Sequence, residues 1–247
     1  VALYQEYVHK VFGEIEASNK RIVLVGGTGL YIRAAIDDYD FPSGEQIDNP
    51  IRAQYMQFAQ DKGNMALWEL LHDFDPKSAE VIHPNNVRRV VRAFELLDEG
   101  KHYYEQLENL QNIPQNYPCT FIGLYVNPET LNKRIDERVD KMIESGLIEE
   151  VKSLLDKGYR ESLTSQQAIG YKEIVSYLDG NCDLDEAIEL IKIATHRYAK
   201  RQRSWFNKDK RIKWFDVTSL KSTADYVFVD EVISYIESVD TIDPERS

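Results

Sequence analysis

The sequence predicts an α/β protein in which a parallel-sheet core is interrupted by an all-helical insertion. Short apolar runs, typical of strands buried on both faces of a parallel sheet, occur at 22–25 and 121–126, and a third strand is expected at 212–217. Residues 50–111 instead show apolar side chains at helical spacing throughout. We therefore expect an α/β core formed by residues 1–45 and 113–247 and a helical insertion formed by residues 46–112.

A glycine turn after the first predicted strand is the first candidate ligand site. A helix is expected over residues 1–17, and the run 22–25 leads directly into Gly-Gly-Thr-Gly at 26–29 and a helical pattern at 30–36. Glycines after a strand let backbone N–H groups approach a ligand, and a helix N-terminus favours anionic groups. Thr28 is the one side chain of this turn that can form a hydrogen bond. Because the spacing matches neither the dinucleotide fingerprint nor Walker A, a purely structural turn is also consistent with it.

The second half of the chain alternates helices with the two remaining predicted strands. The segment 112–118 carries two prolines and predicts a linker. Asn127 is suited to cap the next helix, because its side chain can accept a backbone hydrogen bond and Pro128 follows at the first helical position. Gly146 interrupts the apolar periodicity of that helix. Further helices are expected at 170–178, 185–207 and 226–238.

Composition places the chain in the cytoplasm, away from membranes. Nothing approaches the roughly 18 apolar residues of a membrane span, and no secretory segment is present. Cys119 and Cys182 show no metal-ligand spacing, so free thiols in a reducing compartment are expected. The net charge of -12 argues against nucleic acid on its face, but phosphate binding depends on where the cations lie.

One segment concentrates positive charge in this acidic chain. Asp209 is its only acid, and Trp205, Phe206 and Trp214 are interleaved with the cations. Aromatic rings beside cations suit stacking on bases, although an exposed, solvated helix is the competing interpretation. The cations are Lys192, Arg197, Lys200, Arg201, Arg203, Lys208, Lys210, Arg211 and Lys213.

Two arginine clusters are further candidates for phosphate binding. Arg88, Arg89 and Arg92 lie on one predicted helix, with Arg88 and Arg92 on a common face. A guanidinium group can donate two hydrogen bonds to one oxyanion, so three arginines favour a phosphate-binding surface over a surface that only contacts solvent. Arg134 and Arg138 repeat the four-residue spacing, but three nearby acids make local ion pairing a serious alternative.

The remaining polar features do not define a catalytic centre. The loop 165–172 places adjacent glutamines before Gly170, where they could read base edges or cap a helix. The five histidines show no metal spacing, and no nucleophilic triad can be argued from their order. We therefore predict no metal ligands and identify no catalytic base within the chain.

Five segments together resemble the bacterial tRNA dimethylallyltransferases (tRNA isopentenyltransferases, the IPP transferase family). They occur in the order and spacing of the family and cover nearly the whole chain. They are LVGGTGLYI at 24–32, HPNNVRRVVR at 83–92, RIDERV at 134–139 with Met142, Gly146-Leu147 and Glu150-Val151, QAIGYK at 167–172, and YAKRQRSWF at 198–206.

This resemblance implies a P-loop-NTPase-like, nucleotide-binding core and a prenyl transfer reaction. A dimethylallyl group would pass from dimethylallyl diphosphate to N6 of adenosine 37, giving i6A37 in tRNAs that read codons starting with U. The implied partners are the tRNA anticodon stem-loop and dimethylallyl diphosphate, with Mg²⁺ as cofactor and the protein as a monomer. The family's P-loop Lys/Thr and general-base Asp are expected upstream of Val1, and departures from the family at 43–46 and 101–102 suggest omitted residues.

The resemblance also assigns roles to individual residues. Thr28 and Arg52 match positions that contact tRNA near the flipped adenine, and Arg138, with Arg134, falls where a cation neutralises the leaving diphosphate. The positions that match tRNA-contacting stretches are Arg88, Arg89, Arg92, Gln167, Gly170, Lys172, Lys200, Arg201, Gln202, Arg203, Trp205 and Lys208. A prenyltransferase acting on free adenine nucleotides, a P-loop nucleotide kinase and a non-catalytic RNA-binding module are the alternatives.

Overall fold

The computed structural model describes residues 1–39, 49–111, 113–158, 160, 168–220 and 226–242. The chain divides into two compact units. The first comprises Val1–Gly26 and Leu30–Pro118, and the second comprises Gly27–Gly29 and Cys119–Ser247. The assignment of residues 46–112 to an insertion, and of 1–45 and 113–247 to a catalytic core, stays a prediction. Positions 43–46 lie outside the described residues.

The first unit is helical, as the spacing of its apolar residues predicted. Asn49 caps the third helix by accepting a hydrogen bond from Ile51 N at 2.9 Å, and Pro50 occupies the first helical position. The helices are α1 Ala2–Ala17, α2 Gly29–Ile36 (whose first residue belongs to the second unit), α3 Pro50–Lys62, α4 Asn64–Phe74, α5 Pro76–Glu80, α6 Val87–Asp98 and α7 Tyr103–Gln111.

The core of the first unit lies between α3, α4 and α6. Leu67 and Leu71 of α4 and Val90 of α6 are completely buried, and Tyr55 of α3 stacks on Phe94 of α6 with ring centroids 3.8 Å apart. Burial of side chains of this size contributes roughly 1.5–3 kcal/mol each relative to exposure. This packing fixes α6 on α3 and leaves the other side of α6 for its arginines.

A hydrogen-bonded pair closes the turn between α4 and α5. Asp75 caps α5 by accepting from Ser78 N at 3.2 Å, and His102 Nδ1 lies 2.9 Å from its other carboxylate oxygen. Burial alone would raise the pKa of Asp75, but hydrogen bonds from Ser78 and His102 hold that pKa below its ordinary value. The same hydrogen bond raises the pKa of His102.

The prediction of a buried first strand at 22–25 was wrong. These residues form no strand, and Val23 and Val25 are 82% and 88% exposed. A strand needs a hydrogen-bonding partner, and in the described part of the chain the only sheet has two strands, neither of which pairs with 22–25. The apolar run therefore shows that these residues are suited to burial, but in the structure they are not buried.

The second unit is an α/β arrangement around a small parallel sheet, which confirms the two later strands. Its elements are β1 Ile122–Tyr125, α8 Pro128–Glu144, α9 Leu147–Asp156, α10 Tyr171–Leu178, α11 Leu184–Phe206, β2 Lys213–Asp216 and α12 Tyr226–Ile242. The strands pair in parallel, with Ile122 opposite Lys213 and Tyr125 opposite Asp216. Asn127 caps α8 by accepting from Thr130 N at 2.8 Å, as predicted.

A helical core in the second unit fixes the orientation of α11. Val139 of α8, Val151 of α9, Ile174 of α10 and Ile191 of α11 are all 3% exposed or less. Gly146 separates α8 from α9 with a φ of 96°, a left-handed conformation that favours glycine. The N-terminal half of α11 packs into this core, and one side of its C-terminal half is exposed to solvent.

Candidate nucleic-acid interface

The C-terminal half of α11 and the turn after it expose one continuous row of cations. This row, which we call the basic face, lines an open pocket of about 470 Å³. Spacings of three and four residues bring side chains onto one side of a helix, which explains why these residues share a surface. The basic face consists of Arg197, Lys200, Arg201, Ser204, Trp205 and Lys208, all exposed.

Among the residues that the structure describes, no acid pairs with the cations of the basic face. Lys192, earlier on α11, lies 2.7 Å from Asp140, a hydrogen bond that raises the pKa of the lysine. Arg211 lies 2.6 Å from Asp209, the only acid of the basic segment. In contrast, within the ranges that the structure describes, no ion pair involves the four cations of the basic face. This arrangement gives an acidic protein a local surface of positive charge.

Exposed aromatic rings accompany these charges. Trp205 and Tyr198 are 45% and 43% exposed, and the Arg201 guanidinium carbon lies 6.0 Å from the centroid of the Tyr198 ring. An exposed indole between cations provides a stacking surface for a base while the cations hold the phosphates. The basic face therefore combines the two elements that single-stranded nucleic acid requires.

The glycine turn lies against α11 within the second unit. Gln202 Nε2 donates a hydrogen bond to the carbonyl oxygen of Gly27 at 2.7 Å. The indole of Trp205 occupies the space that a Cβ at Gly29 would need, so any larger residue there would displace the indole. Thr28, between them, is exposed. The structure thus brings together the glycine turn and α11, although Gly27 and Gln202 are 175 residues apart in the sequence.

The remaining predicted residues of α11 face different surroundings. Gln202 is half-buried, and its amide nitrogen binds the glycine turn. Arg203 is also half-buried and lies outside the pocket. Arg197 and Ser204 share the pocket with the predicted residues. The sequence analysis named Arg197 only as a cation of the basic segment, and Ser204 only as part of the family motif, so neither was selected as a site residue. Their helical spacing from Lys200, Arg201 and Lys208 was the available signal.

The arginines of α6 divide into two kinds. The side chains of Arg88 and Arg89 are exposed and form no ion pair or hydrogen bond with any residue that the structure describes. Arg92 Nη1 instead lies 3.0 Å from a carboxylate oxygen of Glu95, whose other oxygen accepts from Arg52 Nε at 2.7 Å. Sequence analysis missed Glu95, although a charged residue on the apolar side of an amphipathic helix was a visible anomaly.

The two arginines predicted at the diphosphate also differ. Arg134 Nη2 donates to the carbonyl oxygens of Thr218 and Leu220, both at 3.0 Å, and so ties α8 to the segment after β2. Arg138 is exposed and has no polar partner among the described residues. Arg138 is therefore the better placed of the two to receive an anion, and both assignments stay predictions.

The segment before α10 is only partly described. Gly170 has a φ of 98°, and its N–H donates to Glu173 Oε2 at 2.8 Å, which caps α10. The glycine thus has a conformational role of its own. Lys172 is exposed, whereas Gln167 lies outside the described residues. The predicted RNA contacts of these three positions are not tested by this arrangement.

Neither a metal centre nor a membrane segment is formed by the described part of the chain. No group of three or more His, Cys, Asp or Glu side chains there could hold a metal ion. The Mg²⁺ that the resemblance implies stays a prediction. The described helices also include none long and apolar enough to cross a membrane.

Fold and surface together define a class: a mostly helical α/β protein with a small parallel sheet and a localised cationic, aromatic surface suited to RNA. A family model described as IPP transferase matches residues 1–209. The chain therefore belongs to the IPP transferase family, which confirms the resemblance found in the sequence.

Individual relatives support this assignment. The chain is 49% identical to a tRNA dimethylallyltransferase of Carboxydothermus hydrogenoformans over 220 residues, 87% of this chain and 69% of that protein. It is 44% identical to the Geobacillus thermodenitrificans tRNA dimethylallyltransferase over 236 residues, 96% of this chain and 74% of that protein.

Solved structures of the family show the same fold. The full-length tRNA isopentenylpyrophosphate transferase of Bacillus halodurans superposes with a TM-score of 0.62 at 36% identity, covering 98% of this chain and 75% of that one. A eukaryotic dimethylallyltransferase acting on tRNA gives a TM-score of 0.71 at 26% identity, covering 94% and 61% of the respective chains. The mostly helical α/β arrangement with a small parallel sheet thus matches solved structures of the family.

Proposed function

We propose that this protein transfers a dimethylallyl group from dimethylallyl diphosphate to N6 of adenosine 37 in tRNAs that read codons starting with U. Membership of the IPP transferase family supports the reaction type. The main support from this chain's own structure is a contact between the Gly27–Gly29 turn and α11. Gly29 lies against the indole of Trp205, and Gly27 accepts a hydrogen bond from Gln202. In that contact, the turn that carries Thr28 lies against the helix that carries Arg197, Lys200 and Arg201.

The basic face would bind the anticodon stem-loop through its phosphates. Arg197, Lys200, Arg201 and Lys208 supply positive charge, and each phosphate they neutralise releases condensed counterions. Trp205 offers an exposed ring to an unstacked base. Flipping an adenine out of a loop costs a few kcal/mol, less than from a duplex, and stacking of about 1–3 kcal/mol offsets much of that cost.

The reaction is an alkyl transfer whose atoms balance without a redox partner. The N6 lone pair of the adenine forms a bond to C1 of the dimethylallyl group, the C1–O bond breaks, and diphosphate leaves with the electron pair. The alkylated nitrogen then gives up one proton to solvent, which leaves the neutral secondary amine. Negative charge develops on the diphosphate, so a preorganised cation lowers the barrier. Arg138 is our candidate for that cation because its guanidinium is exposed and not held by a described neighbour.

The Thr28 hydroxyl is our candidate for orienting the adenine. A hydroxyl both donates and accepts, so it can bond the N6 amine or a ring nitrogen without carrying charge. Neither a base for the N6 proton nor a Mg²⁺ site is assigned to the described residues, and no step here depends on them. Mg²⁺, the P-loop core, the monomeric state and the cytoplasmic location stay predictions from the sequence.

Acceptor choice distinguishes this function from its alternatives. The full-length gene product should convert A37 to i6A37 in a tRNA with adenosines at 36, 37 and 38 when supplied with dimethylallyl diphosphate, as measured by nucleoside mass spectrometry. A tRNA with guanosine at 37 is the matched control and should remain unmodified. Prenylation of free AMP in preference to tRNA would instead favour the free-nucleotide enzyme, and RNA binding without any transfer would favour a non-catalytic module.

A further inference from the structure

A buried carboxylate joins two of the arginines predicted to contact RNA. The Glu95 side chain is completely buried, yet it lies on α6 among apolar residues. Arg52 donates to both of its oxygens, through Nε at 2.7 Å and Nη2 at 3.2 Å. Arg92 Nη1 donates to the second oxygen at 3.0 Å. Glu95 therefore holds one guanidinium from α3 and one from α6.

Fold stability alone is a weak reason for this cluster. The cost of removing a charge from water offsets most of the attraction in a buried ion pair, and apolar replacements often serve stability equally well. Glu95 carries one negative charge against two guanidinium groups, and the second carboxylate near Arg92 is that of Glu99, 3.7 Å from Arg92 Nη1 and only partly buried. Both arginines remain accessible, because the Arg52 and Arg92 side chains are 40% and 18% exposed.

We infer that Glu95 is a positioning residue for RNA binding. It orients the guanidinium groups of Arg52 and Arg92 so that their outer surfaces meet the phosphates of the anticodon stem-loop. Arg88 lies one helical turn from Arg92 and extends the same cationic surface. A guanidinium fixed on one edge loses less side-chain freedom when its other edge binds an oxyanion. This inference rests on the proposed function, since it takes tRNA as the ligand.

The direction in which one substitution changes the Kd for RNA distinguishes a positioning role of Glu95 from a purely electrostatic one. Glu95→Gln keeps the size of the side chain and removes one negative charge, so electrostatics alone predicts equal or tighter RNA binding. Loss of orientation predicts the opposite: a roughly tenfold higher Kd for an anticodon stem-loop RNA, the change expected when one charge-assisted contact is lost. The slope of log Kd against log salt should also fall by about 1, because fewer phosphates are neutralised.

Asp98→Asn is the matched control for this substitution. Asp98 is exposed at the last turn of the same helix and forms no ion pair within the described residues, so the charge change is identical but no arginine is released. Its Kd should stay equal or fall slightly. A purely structural role for Glu95 would lower the unfolding temperature while leaving the salt slope of the folded variant unchanged, and that result would overturn the inference.

A second variant decides the question if Glu95→Gln does not fold. Replacing Arg52 and Arg92 together by lysine keeps both charges but removes the two-nitrogen grip, and it should raise the Kd by a similar factor. Unchanged affinity in that variant would overturn the inference. If wild-type protein fails to bind the stem-loop at all, the proposed function fails and the inference fails with it. If wild type binds and Glu95→Gln binds equally well or tighter, only the inference fails.

Discussion

The basic face of α11 gives the sharpest quantitative prediction. Replacing Arg197, Lys200, Arg201 and Lys208 together by glutamine removes four exposed charges that no described acid neutralises. Each phosphate contact contributes about 0.7–0.9 to the slope of log affinity against log salt, so loss of all four should flatten the slope by about 3. Folding stability should change little, because exposed substitutions away from special contacts usually stay within about 0.5 kcal/mol each.

The assay is anticodon stem-loop binding by fluorescence anisotropy at a series of salt concentrations. The matched control replaces four exposed lysines of the same unit that form no ion pair with described residues, so the net charge changes equally. Those lysines are Lys133, Lys141, Lys152 and Lys157. The control should retain most of the wild-type slope. Equal slopes for the two variants would show that only the net charge attracts RNA, which would refute the assignment of the basic face.

Three further outcomes follow from particular contacts. Thr28→Ala should lower the single-turnover rate of prenyl transfer far more than it lowers the affinity for RNA, because phosphate contacts supply most of the binding free energy. An equal loss of rate and of affinity would show that Thr28 is a structural turn residue. Alanine at both Arg88 and Arg89 should reduce the salt slope by about 1–2 without a change in unfolding temperature, and an unaltered slope would mean that this surface is merely solvated. The raised pKa of His102 means that its contact with Asp75 stabilises the fold fully below about pH 6.5, and that this stabilisation is lost as the pH rises through the raised pKa. The lowered pKa of Asp75 preserves the contact until more acidic pH. The difference in urea midpoint between wild type and His102→Gln should therefore shrink on going from pH 6 to pH 9, and a constant difference would contradict the assignment.

The strands show what apolar patterns can and cannot predict. The runs at 121–126 and 212–217 become β1 and β2 because each finds the other as a parallel partner. The run at 22–25 has an equally suitable composition but no partner among the described residues, and its valines are exposed. Composition predicts that a segment can be buried, whereas pairing is a tertiary property that the segment does not encode.

The sequence predicts which residues belong to the site better than it predicts how those residues contact one another. Helical spacing alone groups Lys200, Arg201 and Lys208 on one surface, and the family motifs identify them. Sequence does not reveal that Asp209 pairs with Arg211 and leaves adjacent Lys208 without an acid partner in the described structure. Contacts over long sequence separations, such as Arg52 with Glu95, 43 residues apart, depend on how helices pack and carry no local signal.

The placement of the target adenine can be measured directly by photocrosslinking. An anticodon stem-loop with a photoreactive azidoadenosine at position 37 should crosslink to the tryptic peptides 22–33 and 204–208, which contain Thr28 and Trp205. Competition by unmodified stem-loop, but not by a stem-loop of unrelated loop sequence, serves as the control. Crosslinks confined to α9 or α12, with none in those two peptides, would contradict the claim that the glycine turn and the basic face form the adenine site.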